Sequence, residues 1–94
     1  MYHYIIEHPN RGRYVTDGRN HRFSPIVTRD HPNVVRFCSL NQAARCYTEL
    51  YRSTPEPGLL QIWCNYDDGV DDIGWERTPQ DSINEAMLEE VNKG

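Results

Sequence analysis

The sequence predicts an α+β fold: a mainly antiparallel sheet of about four strands, one helix packed on a face of the sheet, and an acidic helix at the C-terminus. Three observations lead to this prediction. Residues 37–52 carry start, periodicity and stop signals of a helix. Short runs of alternating apolar and polar residues lie on both sides of that segment, which is typical of half-buried strands. Carboxylates are concentrated after residue 56.

The predicted strands follow one another in the N-terminal half. Residues 2–7 and 13–16 alternate apolar and polar side chains around a turn-forming segment, so they predict a hairpin. Asp17-Gly18 is the strongest signal for a two-residue hairpin turn. It leads to a third extended segment, 20–28, which Pro25 makes an edge strand or interrupts. Residues 34–37 form a short apolar run, and residues 59–66 form the clearest strand of the chain.

The central helix is predicted over residues 40–52. Ser39 is expected to be its N-cap, because the hydroxyl can accept a backbone N–H of the first turn. Gln42 can reach back to close a capping box. One apolar stripe follows at helical spacing, and Pro55 and Pro57 prevent continuation. This stripe must pack on another element, since a helix of about 13 residues is marginal alone in water.

The C-terminal helix is predicted over residues 78–92. Thr78 is expected to cap it, with Pro79 at the first helical position and Asp81 completing a capping box. Its apolar stripe consists of residues at helical spacing, Ile83, Ala86, Met87 and Val91, and Leu88 widens the stripe.

Length and composition indicate a single domain, 1–94, made of a sheet plus central helix (1–66), an acidic loop (67–77) and the final helix (78–92). The chain has three cysteines and no CxxC spacing, which favours reduced thiols in a cytoplasmic protein. No apolar run approaches the ~20 residues of a membrane span, and the N-terminus lacks the pattern of a signal peptide. We therefore expect no membrane association.

The net charge of −4 conceals a division between the two halves of the chain. Residues 1–55 contain eight arginines and four carboxylates, whereas residues 56–94 contain ten carboxylates, one arginine and one lysine. The first part is therefore basic and the second strongly acidic. This asymmetry is the main functional signal in the sequence.

No catalytic or metal signature is present. The acidic loop does not match an EF-hand, because residues 64, 66 and 75 are not acidic. The four histidines lack zinc-ligand spacing. A Cys38–His31 nucleophile pair is the strongest catalytic alternative, with packing at the helix start as the simpler interpretation of Cys38. We expect a protein that is not an enzyme and that has no metal site, cofactor or catalytic residue.

Two surfaces are candidates for binding. Carboxylates about 6 Å apart on a helix can imitate a row of phosphates and occupy the nucleic-acid groove of another protein. The predicted acidic surface consists of Asp67, Asp68, Asp71, Asp72, Asp81, Glu85 and Glu89. Alternatively, arginines with an aromatic residue suit single-stranded nucleic acid. That second surface consists of Arg11, Arg13, Arg19, Arg22 and Tyr14.

A short motif occurs twice: Glu7-His8-Pro9-Asn10 and Asp30-His31-Pro32-Asn33. His-Pro-Asn is favourable turn chemistry, so two independent turns are the simpler interpretation. A duplicated functional turn is the alternative.

About half of the chain resembles small α+β proteins encoded by phages and mobile elements. The resemblance rests on residues 4–16, on the segment Arg36-Phe37-Cys38-Ser39-Leu40-Asn41-Gln42-Ala43, and on Leu59-Leu60-Gln61-Ile62-Trp63. That group includes anti-CRISPR and other host-inhibiting proteins, which act by binding and blocking. The resemblance implies a cytoplasmic inhibitor whose partner is a host protein or protein–nucleic-acid complex, and direct nucleic-acid binding is the alternative.

Overall fold

The computed structural model describes residues 2–66 and 74–93, and it confirms the α+β class. Five antiparallel strands form one sheet in the order β3-β2-β1-β4-β5. The strands are β1 (His3–His8), β2 (Gly12–Thr16), β3 (His21–Ser24), β4 (Gln61–Asn65) and β5 (Glu76–Arg77). The helices are α1 (Leu40–Ser53) and α2 (Gln80–Lys93), and a short 3-10 turn, Pro57–Leu59, leads into β4.

The sheet has one strand more than the predicted number of about four, and the predicted C-terminal helix packs on the core as the central helix does. The fifth strand, β5, lies inside the segment that the sequence assigned to a loop. It pairs with β4 through Trp63 opposite Arg77 and Cys64 opposite Glu76. Glu76 and Arg77 are both charged and exposed, so their sequence shows no apolar–polar alternation. This strand therefore forms because it pairs with β4, and no local sequence pattern predicts it. The second helix also packs, because Ile83 of α2 is buried in the same core as α1.

The run 34–37 closes a gap in the sheet. β1 and β2 pair directly at only two positions, Glu7 with Arg13 and His8 with Gly12. Beyond those positions Val34 bridges to β2, at Val15, and Phe37 bridges to β1. The Phe37 N–H donates to the Tyr4 carbonyl at 2.8 Å, and the Tyr4 N–H donates back at 2.9 Å. The predicted apolar run is therefore part of the sheet region, as two single bridges.

Both faces of the sheet are covered. On the first face, Ile6 and Ile62 are fully buried against Ala43 and Tyr47 of α1 and Ile83 of α2. On the second face, a smaller cluster is covered by the connection between β3 and α1. Its buried members are Ile5, Val15, Val34 and Trp75, with Val27 and Trp63 packed around them. Trp75 and Trp63 therefore both contribute to the core.

The Ser39 cap of α1 is as predicted: the Ser39 hydroxyl accepts the Gln42 N–H at 3.2 Å. The predicted capping box differs, because the Gln42 side chain accepts the N–H of Cys38, at 3.4 Å, instead of the N–H of Ser39. The start of α2 differs from the prediction. The Pro79 carbonyl accepts from the N–H groups of Ser82 and Ile83, so Pro79 takes the cap position. Thr78 donates its N–H to the Ile62 carbonyl at 2.8 Å, which continues the pairing of β5 with β4 by one residue. This hydrogen bond holds Thr78 to the sheet, so the helix begins after it.

The turn chemistry explains two further features. The β2–β3 connection covers residues 17–20, and the Asp17 N–H donates to the Asn20 carbonyl at 3.2 Å across it. The hairpin turn is therefore centred on Gly18-Arg19, one residue later than the predicted Asp17-Gly18. The Asp17 carboxylate accepts two backbone N–H groups, from Arg19 and Asn20, which stabilises this turn. These hydrogen bonds lower the pKa of Asp17.

The two His-Pro-Asn segments form the same turn. In each, the histidine carbonyl accepts the N–H three residues later, at 3.0 Å. In each, the histidine Nδ1 also accepts the N–H of the asparagine, at 3.2 Å for His8 and 3.1 Å for His31. The repeated motif therefore has a structural cause. His8 is completely buried and also bonds through Nε2 to the Glu56 carbonyl at 3.1 Å.

Candidate partner-binding surface

The outer face of α2 presents two unpaired carboxylates. Asp81 and Glu85 lie two positions either side of the buried Ile83, so each is roughly 160° from it around the helix axis. Both side chains are exposed, and neither has an ion-pair or hydrogen-bond partner among the described residues. One helical turn separates them, which places two negative charges about 6 Å apart in water.

The other carboxylates of α2 are engaged by α1. Asn41 donates to Glu89 Oε2 at 2.9 Å. Arg45 donates to Glu90 Oε2 through Nη2 at 2.8 Å and through Nε at 3.2 Å. The Glu90 carboxylate raises the pKa of the Arg45 guanidinium. Of the predicted acidic stripe on α2, Asp81 and Glu85 are therefore free to meet a partner, while Glu89 is exposed but already bonded within the protein.

The remaining members of the predicted acidic surface, Asp67, Asp68, Asp71 and Asp72, lie outside the described residues. The described part of the predicted acidic surface therefore lies on α2 alone.

An exposed apolar strip lies beside the two carboxylates. Asn84, Met87, Leu88 and Val91 line a shallow groove of about 360 Å³. Leu88 is 63% exposed and Val91 is 72% exposed. Of the five residues in the predicted apolar stripe, Ile83 and Ala86 are buried and Met87 is partly buried against the core, whereas Leu88 and Val91 are exposed. The sequence already shows that the five residues span too wide an arc of the helix to face one neighbour.

The predicted arginine surface is divided between the two faces of the sheet. Tyr14 and Phe23 are opposite each other and point toward α1, with ring centres 5.4 Å apart. Arg13 and Arg22 share the other face with Val15, since side chains alternate along a strand. Arg11, Arg19 and Arg22 are exposed, whereas Arg13 is half-buried. The structure does not bring Tyr14 to the surface that carries these arginines.

Tyr14 packs against the hydrophobic core. Its ring stacks with His21 at 5.6 Å, and its hydroxyl lies close to the Cys46 thiol. Burial, with a smaller effect of Cys46, raises the pKa of Tyr14 to about 12. Burial also raises the pKa of the Cys46 thiol, which disfavours the reactive thiolate.

A buried ionic cluster was missed by the sequence reasoning. The Glu7 carboxylate is almost fully buried between two arginines: Arg13 Nε and Arg29 Nε lie 2.9 and 3.2 Å from Oε1. Neither Nε–H has the direction of a hydrogen bond, but Arg29 Nη2 donates to Oε2 at 3.3 Å. The Arg29 guanidinium also lies 4.0 Å from the centre of the Trp63 ring, a cation–π contact. This cluster neutralises part of the basic half inside the protein.

Two checks for other chemistry concern only the residues that the structure describes. Within 2–66 and 74–93, no three histidine, cysteine, aspartate or glutamate side chains lie close enough to hold a metal ion. None of the helices in the same part of the chain has the length and apolar character needed to cross a membrane.

Comparisons with family models, with curated proteins and with solved structures find no match to this chain. The acidic face of α2 and the exposed arginines are therefore the features from which a function can be inferred.

Proposed function

We propose that this chain is a non-enzymatic inhibitor of the phage type, which binds a nucleic-acid-handling host protein or complex through the acidic outer face of α2. The observation that carries the proposal is the exposure of Asp81 and Glu85, which have no ion-pair or hydrogen-bond partner within residues 2–66 and 74–93. Other carboxylates of the described chain, such as Glu7 and Glu90, are neutralised internally by arginines. Two exposed, adjacent carboxylates on a folded helix offer a fixed negative surface to a basic groove.

The position of this surface supports a role in binding. It lies on a helix whose opposite side is anchored in the core by Ile83 and Ala86, so the charges are held on a rigid element. The apolar strip beside it adds the hydrophobic component that interface centres contain. A purely solvating acidic helix would not expose Leu88 and Val91 together.

The proposal is tested by charge reversal with a matched control. The purified chain serves as bait in a bacterial lysate, and bound proteins are identified by mass spectrometry. Glu85→Lys, alone or with Asp81→Lys, should lose the nucleic-acid-binding proteins that the original chain retains. Glu56→Lys makes the same change in charge at an exposed position away from α2 and should retain them. Equal recovery by the Glu85→Lys bait, or no enrichment by the original chain, would refute the proposal.

Direct nucleic-acid binding is the second candidate, and the exposure of Arg11, Arg19 and Arg22 favours it. It would depend on phosphate contacts alone, because Tyr14 points toward α1. Binding to mixed single-stranded RNA and DNA should then fall steeply with salt and weaken when Arg22 is replaced by Ala. Absence of any shifted band at low salt would eliminate this candidate.

A further inference from the structure

The apolar strip on α2 has the geometry of a helix-packing seam. Asn84, Met87, Leu88 and Val91 follow the spacing i, i+3, i+4, i+7, which places them in one row along the helix. A row of this kind normally faces another helix. Among the described residues nothing covers Leu88 or Val91, which remain mostly exposed.

The two borders of this seam differ in charge. Leu88 adjoins the side of the helix that carries Asp81 and Glu85, so this border is acidic. On the other border, Met87 and Val91 also line a second groove of about 230 Å³ between α2 and α1. The α1–α2 wall of that groove carries two arginines and two glutamates, so it is balanced in charge: Arg45, Arg52, Glu49 and Glu90.

We infer that the seam binds an amphipathic helix of the partner, with apolar residues on Met87, Leu88 and Val91 and with Lys or Arg residues along the Asp81–Glu85 border. This inference rests on the proposed function and specifies the structure of the partner segment. The C-terminal end of α2 strengthens the charge complementarity, because its free carbonyl groups add partial negative charge near Glu89 and Glu90.

Charge argues against a second copy of this chain as the occupant. In a two-fold dimer the same patch meets itself, so the acidic border of one copy would approach the acidic border of the other. Like charges in that position oppose association. A basic amphipathic helix has the opposite sign and covers the same apolar row.

The test uses a labelled peptide of about 18 residues, about five helical turns, made of Leu and Lys with Leu at i, i+3, i+4, i+7. A second peptide has the same composition in an order that gives no apolar row. Fluorescence anisotropy measures the affinity of the full chain for each. The patterned peptide should bind at least about tenfold more tightly, because only it can bury its leucines on the seam.

Three variants separate this inference from the proposed function. Leu88→Ser with Val91→Ser should weaken binding of the patterned peptide by about tenfold or more. Ile26→Ser removes an apolar side chain that is 90% exposed elsewhere and should leave the affinity unchanged. If the two peptides bind equally, or if the seam variant binds like Ile26→Ser, the seam inference is overturned. The double variant Asp81→Lys with Glu85→Lys then tests the proposed function. Weaker peptide binding would support the acidic face as a binding surface even without the seam, and unchanged binding would refute both proposals. Sedimentation showing a dimer that the seam variant dissolves would also overturn the inference.

Discussion

Arg45 of α1 and Glu90 of α2 form an ion pair at 2.8 Å, which joins the two helices at the surface. Arg45 is well exposed, so water screens the pair and limits its contribution to stability. Glu90 comes nine residues after Asp81, which is about half a turn around the helix axis, so this pair lies on the side of α2 that faces α1 and not on the face that carries Asp81 and Glu85. The acidic face is narrower than the sequence suggests because Asn41 engages Glu89, which leaves the face centred on Asp81 and Glu85.

Arg45→Ala should lower the free energy of unfolding only slightly, because an exposed ion pair contributes little. Urea denaturation followed by circular dichroism measures this. The affinity for a basic partner should stay the same, because Glu90 lies on the side of α2 away from Asp81 and Glu85. A fall in that affinity without a loss of fold would show that Arg45 itself contacts the partner.

Glu7 is expected to contribute far more to stability than the Arg45–Glu90 pair does. Glu7→Ala removes the buried carboxylate that lies between Arg13 and Arg29, and breaking such a pair costs about 3–5 kcal/mol. Glu49→Ala removes an exposed carboxylate from α1 and should change stability by less than about 0.5 kcal/mol. Denaturant midpoints of the two variants give the comparison. Similar midpoints would mean that the Glu7 cluster is solvated and contributes little.

Two glycines allow backbone strain to be separated from steric overlap. Gly12 and Gly18 both have φ of +95°, but a Cβ at Gly12 would overlap the backbone carbonyl of Ser24 whereas nothing lies near Gly18. Gly18→Ala should cost only the left-handed conformation, about 1–2 kcal/mol. Gly12→Ala must in addition separate β2 from β3, so it should cost more. Thermal unfolding of both variants checks the order, and equal losses would contradict the close approach at Gly12.

The raised pKa of Tyr14 predicts that the protein loses stability at alkaline pH. Burial raises its pKa from 10.0 to about 12, so the folded state favours the protonated phenol. The stabilisation is complete below pH 10, the ordinary pKa, and is lost as pH rises through about 12. Burial also raises the pKa of Tyr4, so ultraviolet titration of the tyrosinate band should show more than one group titrating late. Tyr14→Phe should remove the group that titrates near pH 12. If that group persists in Tyr14→Phe, another tyrosine is responsible.

The parts of the fold that sequence reasoning predicted are those determined locally. Helix α1 has its cap at Ser39, its apolar stripe and its stop signals within one continuous segment. The long strand around Ile62 is likewise evident from alternation alone. By contrast, β5 exists because Arg77 and Glu76 find partners on β4, which no local pattern shows.

The candidate site was predicted only in part for the same reason. The charges of Asp81 and Glu85 are visible in the sequence, but their freedom depends on which carboxylates Asn41 and Arg45 engage. Leu88 has the composition of a core residue and lies outside the core, since Ile83 and Ala86 already fill the contact with the sheet and α1. The burial of Glu7 depends on Arg29, which lies far from it in the sequence.

The central claim is that the outer face of α2 contacts a partner protein, and site-specific photo-cross-linking tests it most directly. A photoreactive phenylalanine is placed at position 84, at position 92, or at position 26 as the exposed control. Asn84 lines the groove and Asn92 lies seven residues after Glu85, so both probes flank the acidic face and leave its carboxylates in place. After irradiation in a bacterial lysate, positions 84 and 92 should give adducts with the same protein, and position 26 should give none. Adducts that are equal at all three positions, or absent at 84 and 92, would contradict this account.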